Sequence, residues 1–223
     1  MREFKVLEIK KSVYEDNNKR AEIVRQELEE NGTFLLNLMS SPGSGKTSTV
    51  IKIIEALKDE MNIGIMEADI DSDVDACTVA KTGTKVIQLH TGGMCHLDAD
   101  MTKQGIDGLG TEDMDFIILE NIGNLICTAG YDTGASKNAM ILSVPEGDDK
   151  PLKYPLMFST VDVLIINKID TLEHFDFDLE AVRERVAKLN PGIEIIPISA
   201  KTGEGVEELA NWLRREIKEW KEK

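Results

Sequence analysis

Phe34-Leu35-Leu36-Asn37-Leu38-Met39-Ser40-Ser41-Pro42-Gly43-Ser44-Gly45-Lys46-Thr47 is the stretch that decides the fold. An unalternated apolar run of strand length ends in a loop of small residues, and a helical pattern over 47–59 follows. Strand, glycine-rich loop and helix in that order make a phosphate-binding loop. Gly43 and Gly45 let backbone N–H groups turn toward phosphates with no Cβ in the way. The helix start adds free N–H groups and a dipole that favours anions. Ser41, Ser44 and Ser48 belong to the same cradle. Lys46 is expected to reach the β- and γ-phosphates, and Thr47 to offer its hydroxyl to Mg²⁺. One departure from the usual pattern is Ser40, which stands where the first glycine is normally found.

Outward from this loop, short apolar runs alternate with helical stretches. The runs fall at 63–66, 86–87, 116–119, 140–142, 163–166 and 193–196, with helices expected over 73–82, 178–189 and 204–221. Unalternated, β-branched runs suit strands buried on both faces of a parallel sheet. The predicted fold is therefore α/β: a phosphate-loop GTPase architecture with a mostly parallel sheet flanked by helices. A polar helix over Val13 to Asn31 precedes it, with Val13, Ala21, Val24 and Leu28 as its apolar stripe and Asn31-Gly32 as its stop. The expected organisation is a helical appendage over 1–32 and a GTP-binding domain over 33–223. The glycine-rich segment 104–110 reads as a surface loop.

After the strand at 163–166 comes Asn167-Lys168-Ile169-Asp170. At this place in a nucleotide fold, Asn-Lys-x-Asp reads guanine. The Asp170 carboxylate can accept from the N1–H and the 2-amino group together, whereas adenine would leave it unpaired, a difference worth ~10⁴ or more in discrimination. Lys168 can lie along the base, and Asn167 ties this loop to the phosphate loop. Ser199-Ala200-Lys201 follows the next strand and offers a backbone N–H toward the guanine O6. The nucleotide implied is GTP/GDP.

Two further segments carry chemistry. Glu120-Asn121-Ile122-Gly123 stands where GTPases have an Asp-x-x-Gly switch, with Glu in place of Asp. Gly123 could close on a γ-phosphate, Glu120 could hold Mg²⁺ through water or orient the attacking water, and Asp69 is a candidate Mg²⁺ partner; Asp71, Asp73 and Asp75 are lesser candidates. Cys95-His96 lies in a polar, glycine-rich segment, and Cys127 lies seven residues after Glu120. Thiolate and imidazole suit Zn²⁺, Ni²⁺ or copper rather than Mg²⁺. Two or three ligands leave a four-coordinate sphere incomplete, so a two-fold axis, water or a partner would complete it. His90 is a weaker candidate, Cys77 reads as packing, and His174 has no evident partner. Because Glu120 to Cys127 is one connection, a γ-phosphate acting on Gly123 would also move Cys127.

Composition narrows the classes. With 41 acidic and 26 basic side chains, a net charge of -15 and no Lys/Arg cluster, nucleic-acid binding is excluded. No apolar run approaches the ~18 residues of a membrane span, and the charged N-terminal segment has no signal-peptide core. Three widely spaced cysteines make no disulfide framework. A soluble protein of the reducing cytoplasm is expected.

These motifs together resemble the hydrogenase nickel-incorporation GTPases, the HypB family of nickel–iron hydrogenase maturation factors, over about residues 13–220. The resemblance is carried by the phosphate loop, by Gly93-Met94-Cys95-His96-Leu97-Asp98-Ala99, by Glu120-Asn121-Ile122-Gly123-Asn124-Leu125-Ile126-Cys127, by Glu146-Gly147-Asp148-Asp149-Lys150-Pro151 and by Asn167-Lys168-Ile169-Asp170. It implies a GTPase that assists nickel insertion into the hydrogenase large subunit together with a small zinc-containing partner, HypA. It also implies a nucleotide-promoted homodimer with Cys95, His96 and Cys127 holding Ni²⁺ or Zn²⁺ at the interface. The family's N-terminal Cys-x-x-Cys-Gly-Cys motif and His-rich tract are not in this sequence, which leaves the Cys95 site to carry the metal function. The rival urease accessory GTPases have Cys-Pro-His, and here no proline separates Cys95 from His96. A small-molecule phosphotransferase would need an arginine-rich lid that is not visible. With no Gln or Arg finger apparent, intrinsic hydrolysis is expected to be slow.

Overall fold

The structure, a computed structural model, describes residues 5–8, 17–70 and 73–223. Val13, the start of the predicted N-terminal helix and Asp71 lie outside the described residues. Among the described residues, eight strands form one sheet: β1 (Lys5–Glu8), β2 (Phe34–Ser40), β3 (Ile63–Asp69), β4 (Lys85–His90), β5 (Phe116–Gly123), β6 (Lys137–Ser143), β7 (Val163–Asn167) and β8 (Glu194–Pro197). Their order is β1-β4-β3-β5-β2-β6-β7-β8, and every pairing is parallel. The connections supply helices α1 (Asn17–Glu30), α2 (Lys46–Leu57), α3 (Val74–Ala80), α4 (Ala99–Leu109), α5 (Lys150–Lys153), α6 (Pro155–Thr160), α7 (Leu179–Leu189) and α8 (Val206–Lys221).

Every residue of β2 is buried, so both faces of the sheet are covered at its centre. That is why the strand reads as an uninterrupted apolar run. From β2 the chain moves to one side for β3 and β4, returns through β5, and then continues to the other side through β6, β7 and β8. The order reverses around β2, and the crevice beyond its carboxyl end is where sheets of this kind bind ligands. At the opposite end Phe34 packs on Phe116 and on Trp220 of α8, with ring centroids 5.8 and 6.3 Å apart. The Trp220 indole donates to the Thr33 carbonyl at 3.0 Å, so its one polar group is satisfied on burial.

Three features depart from the sequence reading, one being the short helices α5 and α6, where no helix was expected. β1 adds an eighth strand beside β4, where no strand was expected. The segment read as a surface loop is most of α4. Asp98 caps that helix through a bond from the Met101 N–H at 2.9 Å, and Thr102, Gly105, Ile106 and Leu109 are buried at helical spacing. Gly105 lets the helix lie close to the sheet: a Cβ there would come within 2.9 Å of Leu89 Cδ1 and of Met66 Sδ. Among the described residues, no helix is long and apolar enough to cross a membrane.

Candidate functional site

β2 delivers the phosphate loop into the crevice, and α2 starts at Lys46. Ser40 is fully buried, and its hydroxyl organises the turn. It donates to the Ser41 carbonyl at 2.7 Å and accepts from Ser44 Oγ at 2.7 Å and Lys46 Nζ at 3.1 Å. A serine in place of the usual glycine thus adds a hub that only a side chain could supply. Gly45 has φ +98°, and a Cβ on it would fall 2.4 Å from Asn167 Nδ2.

That contact belongs to the second cluster. Asn167 donates to the Ser44 carbonyl at 2.9 Å and accepts from the N–H of Lys168 at 2.8 Å and of Ala200 at 3.1 Å. Lys168 sits in the left-handed region at φ 65° and donates through Nζ to the Gly43 carbonyl at 2.6 Å. Asp170 accepts from Ser199 Oγ at 2.6 Å and lies 3.9 Å from Lys201 Nζ. Phosphate loop, Asn-Lys-x-Asp loop and Ser-Ala-Lys loop therefore form one bonded unit.

Beside the loop lies a polar pocket lined by Lys46, Glu67, Asp69, Asp75, Gln88 and Glu120. Glu67 and Glu120 face each other in register across β3 and β5, and both are buried. Thr47 Oγ1 donates to Glu120 Oε1 at 2.9 Å, while Glu67 Oε1 and Glu120 Oε2 have no hydrogen-bond partner. Burial, and then the facing Glu120, pushes Glu67 well above the usual carboxylate range. Burial also raises Glu120, against the Glu67 hydrogen bond and the charge of Lys46. Sequence reasoning missed Glu67 and Gln88; a lone acid or amide in an otherwise apolar strand was the available signal.

Gly123 ends β5 against the phosphate loop, and a Cβ there would come 3.0 Å from both Pro42 Cγ and Pro42 N. The chain then turns on Asn124, whose Oδ1 accepts from the N–H of Ile126 and of Cys127, each at 2.8 Å. Cys127 lies near Cys95, and the influence of Cys95, then burial, raises the Cys127 pKa. Cys95 Sγ lies 3.8 Å from His96 Nδ1, and the buried His96 ring stacks on Tyr131 at 3.6 Å. Among the described residues, no group of three or more His, Cys, Asp and Glu side chains is arranged around one metal position. One chain presents a thiol pair with an imidazole beside it. His90 ends β4, Cys77 lies within α3, and His174 is exposed near Glu173.

Fold and site together define a phosphate-loop nucleotide-binding protein of the GTPase class. The chain belongs to the CobW/HypB/UreG family, whose nucleotide-binding domain matches residues 34–197. Hydrogenase maturation factor HypB of Rhizobium leguminosarum bv. viciae is 40% identical over 213 residues, covering 96% of this chain and 71% of that protein. HypB from Helicobacter pylori, solved in complex with nickel, superposes with a TM-score of 0.86 at 39% identity, over 91% of this chain and 95% of that one. HypB from Archaeoglobus fulgidus gives 0.83 at 37% identity, over 90% and 98%.

Proposed function

We propose that the protein is a GTP-hydrolysing metallochaperone that binds Ni²⁺ and delivers it during maturation of nickel–iron hydrogenase. The observation that carries this reading is the short connection from Gly123, pressed on Pro42 of the phosphate loop, to Cys127, which lies near Cys95. A change at the γ-phosphate reaches the thiol pair through four residues of chain. The HypB relatives, one of them solved with nickel, supply the support for cargo and recipient.

In this reading Ser41, Gly43, Ser44, Gly45, Lys46, Thr47 and Ser48 cradle the phosphates. Asn167, Lys168, Asp170, Ser199, Ala200 and Lys201 hold guanine, and Gly123 senses the γ-phosphate. Thr47 offers a hydroxyl beside the orphaned, buried carboxylate oxygens of Glu67 and Glu120, an all-oxygen set that fits Mg²⁺. Thr47, Asp69 and Glu120 would hold the ion, which neutralises charge on the β- and γ-phosphates when bound. Gln88 reaches this pocket, but its amide is committed to the Glu67 carbonyl at 3.1 Å, and no arginine lines the pocket among the described residues. Hydrolysis is therefore slow until a second chain or a partner completes the site.

Cys95, Cys127 and His96 take the cargo, Ni²⁺ with Zn²⁺ as competitor. A nucleotide-promoted homodimer doubles the ligand set, and delivery runs to the hydrogenase large subunit with the small zinc protein HypA, in the cytoplasm. The test is a Ni²⁺ titration of protein loaded with Mg²⁺–GDP or a non-hydrolysable Mg²⁺–GTP analogue, alongside GTP hydrolysis measured without any acceptor. Affinity or stoichiometry should differ between the two nucleotides, and the difference should vanish in Cys95→Ala. Identical curves, or no phosphate release without an acceptor, would overturn the reading.

A further inference from the structure

The two segments that carry the thiols are joined through α1. Asn17, the first residue of α1, donates through Nδ2 to the Asp132 carbonyl at 2.8 Å and accepts at Oδ1 from the Ala99 N–H at 2.9 Å. Asp132 closes the segment that begins at Gly123 and carries Cys127. Ala99 opens α4, directly after the segment that carries Cys95 and His96. One amide thus bridges both. About two turns further along α1, Arg25 donates from the single nitrogen Nη2 to both Asp132 carboxylate oxygens at 2.9 Å, and from Nε to the Ala135 carbonyl at 3.2 Å. α1 itself is anchored by the buried side chains of Ala21, Val24 and Leu28.

We infer that Asn17 and Arg25 are positioning residues that make the thiol pair respond to the nucleotide. This rests on the functional reading above. The segment 123–132 has one end on the phosphate loop and the other on α1. Were the far end loose, a push at Gly123 would be absorbed by drift of the whole segment. Held at Asp132, the segment must change shape between its ends, and Cys127 lies there. The bridge from Asn17 to Ala99 keeps Cys95 fixed as the reference against which Cys127 moves. The planar guanidinium, anchored through Nη2 on Asp132 and through Nε on the Ala135 carbonyl, supplies the geometric stiffness this requires.

The experiment compares the Ni²⁺ affinity of the full chain in its GDP and GTP-analogue states for the parent, Asn17→Ala, Asn17→Asp and Arg25→Lys. Asn17→Asp keeps the acceptor for Ala99 and loses the donor to Asp132. The parent is expected to show a ratio of about tenfold between the two states, within the usual range of coupling between sites. In both Asn17 variants the ratio should fall toward one while nucleotide affinity stays at the parent value. Arg25→Lys, which keeps the charge facing Asp132 and loses the second anchor on the Ala135 carbonyl, should at least halve it. A merely structural role for α1 would lower both metal affinities and the melting temperature together and leave the ratio intact. If the parent shows no ratio, the functional reading itself fails. If the parent shows one and both Asn17 variants retain it, the clamp is overturned. Should loss of the Asn17 amide prevent folding, an unchanged ratio in Arg25→Lys overturns it equally.

Discussion

Asn167 uses all of its side chain to hold the nucleotide loops together, and Gly45 is the residue that makes room for it. Gly45→Ala would put a methyl group into the Asn167 amide at a φ that L-residues rarely adopt. We expect it to cost about 1–3 kcal/mol in stability and to abolish GTP binding, read by thermal unfolding and a fluorescent-nucleotide titration. Asp170→Asn replaces a double acceptor with one acceptor and one donor. The donor faces the guanine 2-amino group and would match the 2-carbonyl of xanthine. GTP affinity should fall about a hundredfold or more while xanthosine triphosphate gains; equal losses for both nucleotides would remove Asp170 from the base site. Glu67 sets a pH dependence. A carboxyl whose pKa rises on folding stabilises the fold while it keeps its proton, and that contribution is lost as pH climbs from the ordinary carboxylate value through the raised one. Glu67→Gln keeps a donor toward Glu120 and cannot ionise. In metal-free protein its melting temperature should match the parent's in acid and exceed it increasingly as pH rises. A constant offset would mean that Glu67 does not titrate over that range.

Among the elements, α4 shows a local preference losing to packing. Gly105 costs about 1 kcal/mol relative to Ala in a helix, so Gly105→Ala would be favourable if the helix stood alone. Its Cβ would meet Leu89 and Met66 at 2.9 Å, and overpacking of that kind costs about 1–3 kcal/mol. Net destabilisation is expected, seen as a lower denaturation midpoint at unchanged slope; a higher midpoint would show that the Leu89 and Met66 side chains give way. The same competition explains why α4 was hidden in the sequence. Glycines that permit close approach to the sheet look like loop residues, although the Asp98 cap and the spacing of Thr102, Ile106 and Leu109 were there to be read. β2, β5 and β7 were plain because strands buried on both faces must be apolar throughout. β1 has only four residues, too few for a pattern to rise above its charged surroundings. The phosphate loop and the Asn-Lys-x-Asp and Ser-Ala-Lys motifs were legible because each is a short pattern local in sequence. The Glu67–Glu120 pairing was not, since register between β3 and β5 is a property of the folded sheet.

At the scale of the whole molecule the charge and the thiols pull in opposite directions. Each chain carries a formal charge of -15, so two chains repel one another. Among the described residues no group of three or more His, Cys, Asp and Glu side chains surrounds one metal position, so a tetrahedral set would need ligands from a second copy. Exposed Ile126, immediately before Cys127, supplies apolar surface where the copies would meet. Dimer formation should therefore need metal or GTP to offset the repulsion, and should strengthen as salt screens it, since the screening length falls from ~30 Å at 0.01 M to ~8 Å at physiological ionic strength. Sedimentation velocity with the GTP analogue and Ni²⁺ should show a dimer holding one Ni²⁺ per two chains, and Cys127→Ser should lose the metal-dependent part alone. A stoichiometry of one Ni²⁺ per chain, with self-association indifferent to the metal, would mean that the site closes within one protomer. The dimer would then owe nothing to the thiols, and communication between nucleotide and metal would have to run entirely through the segment between Pro42 and helix α1.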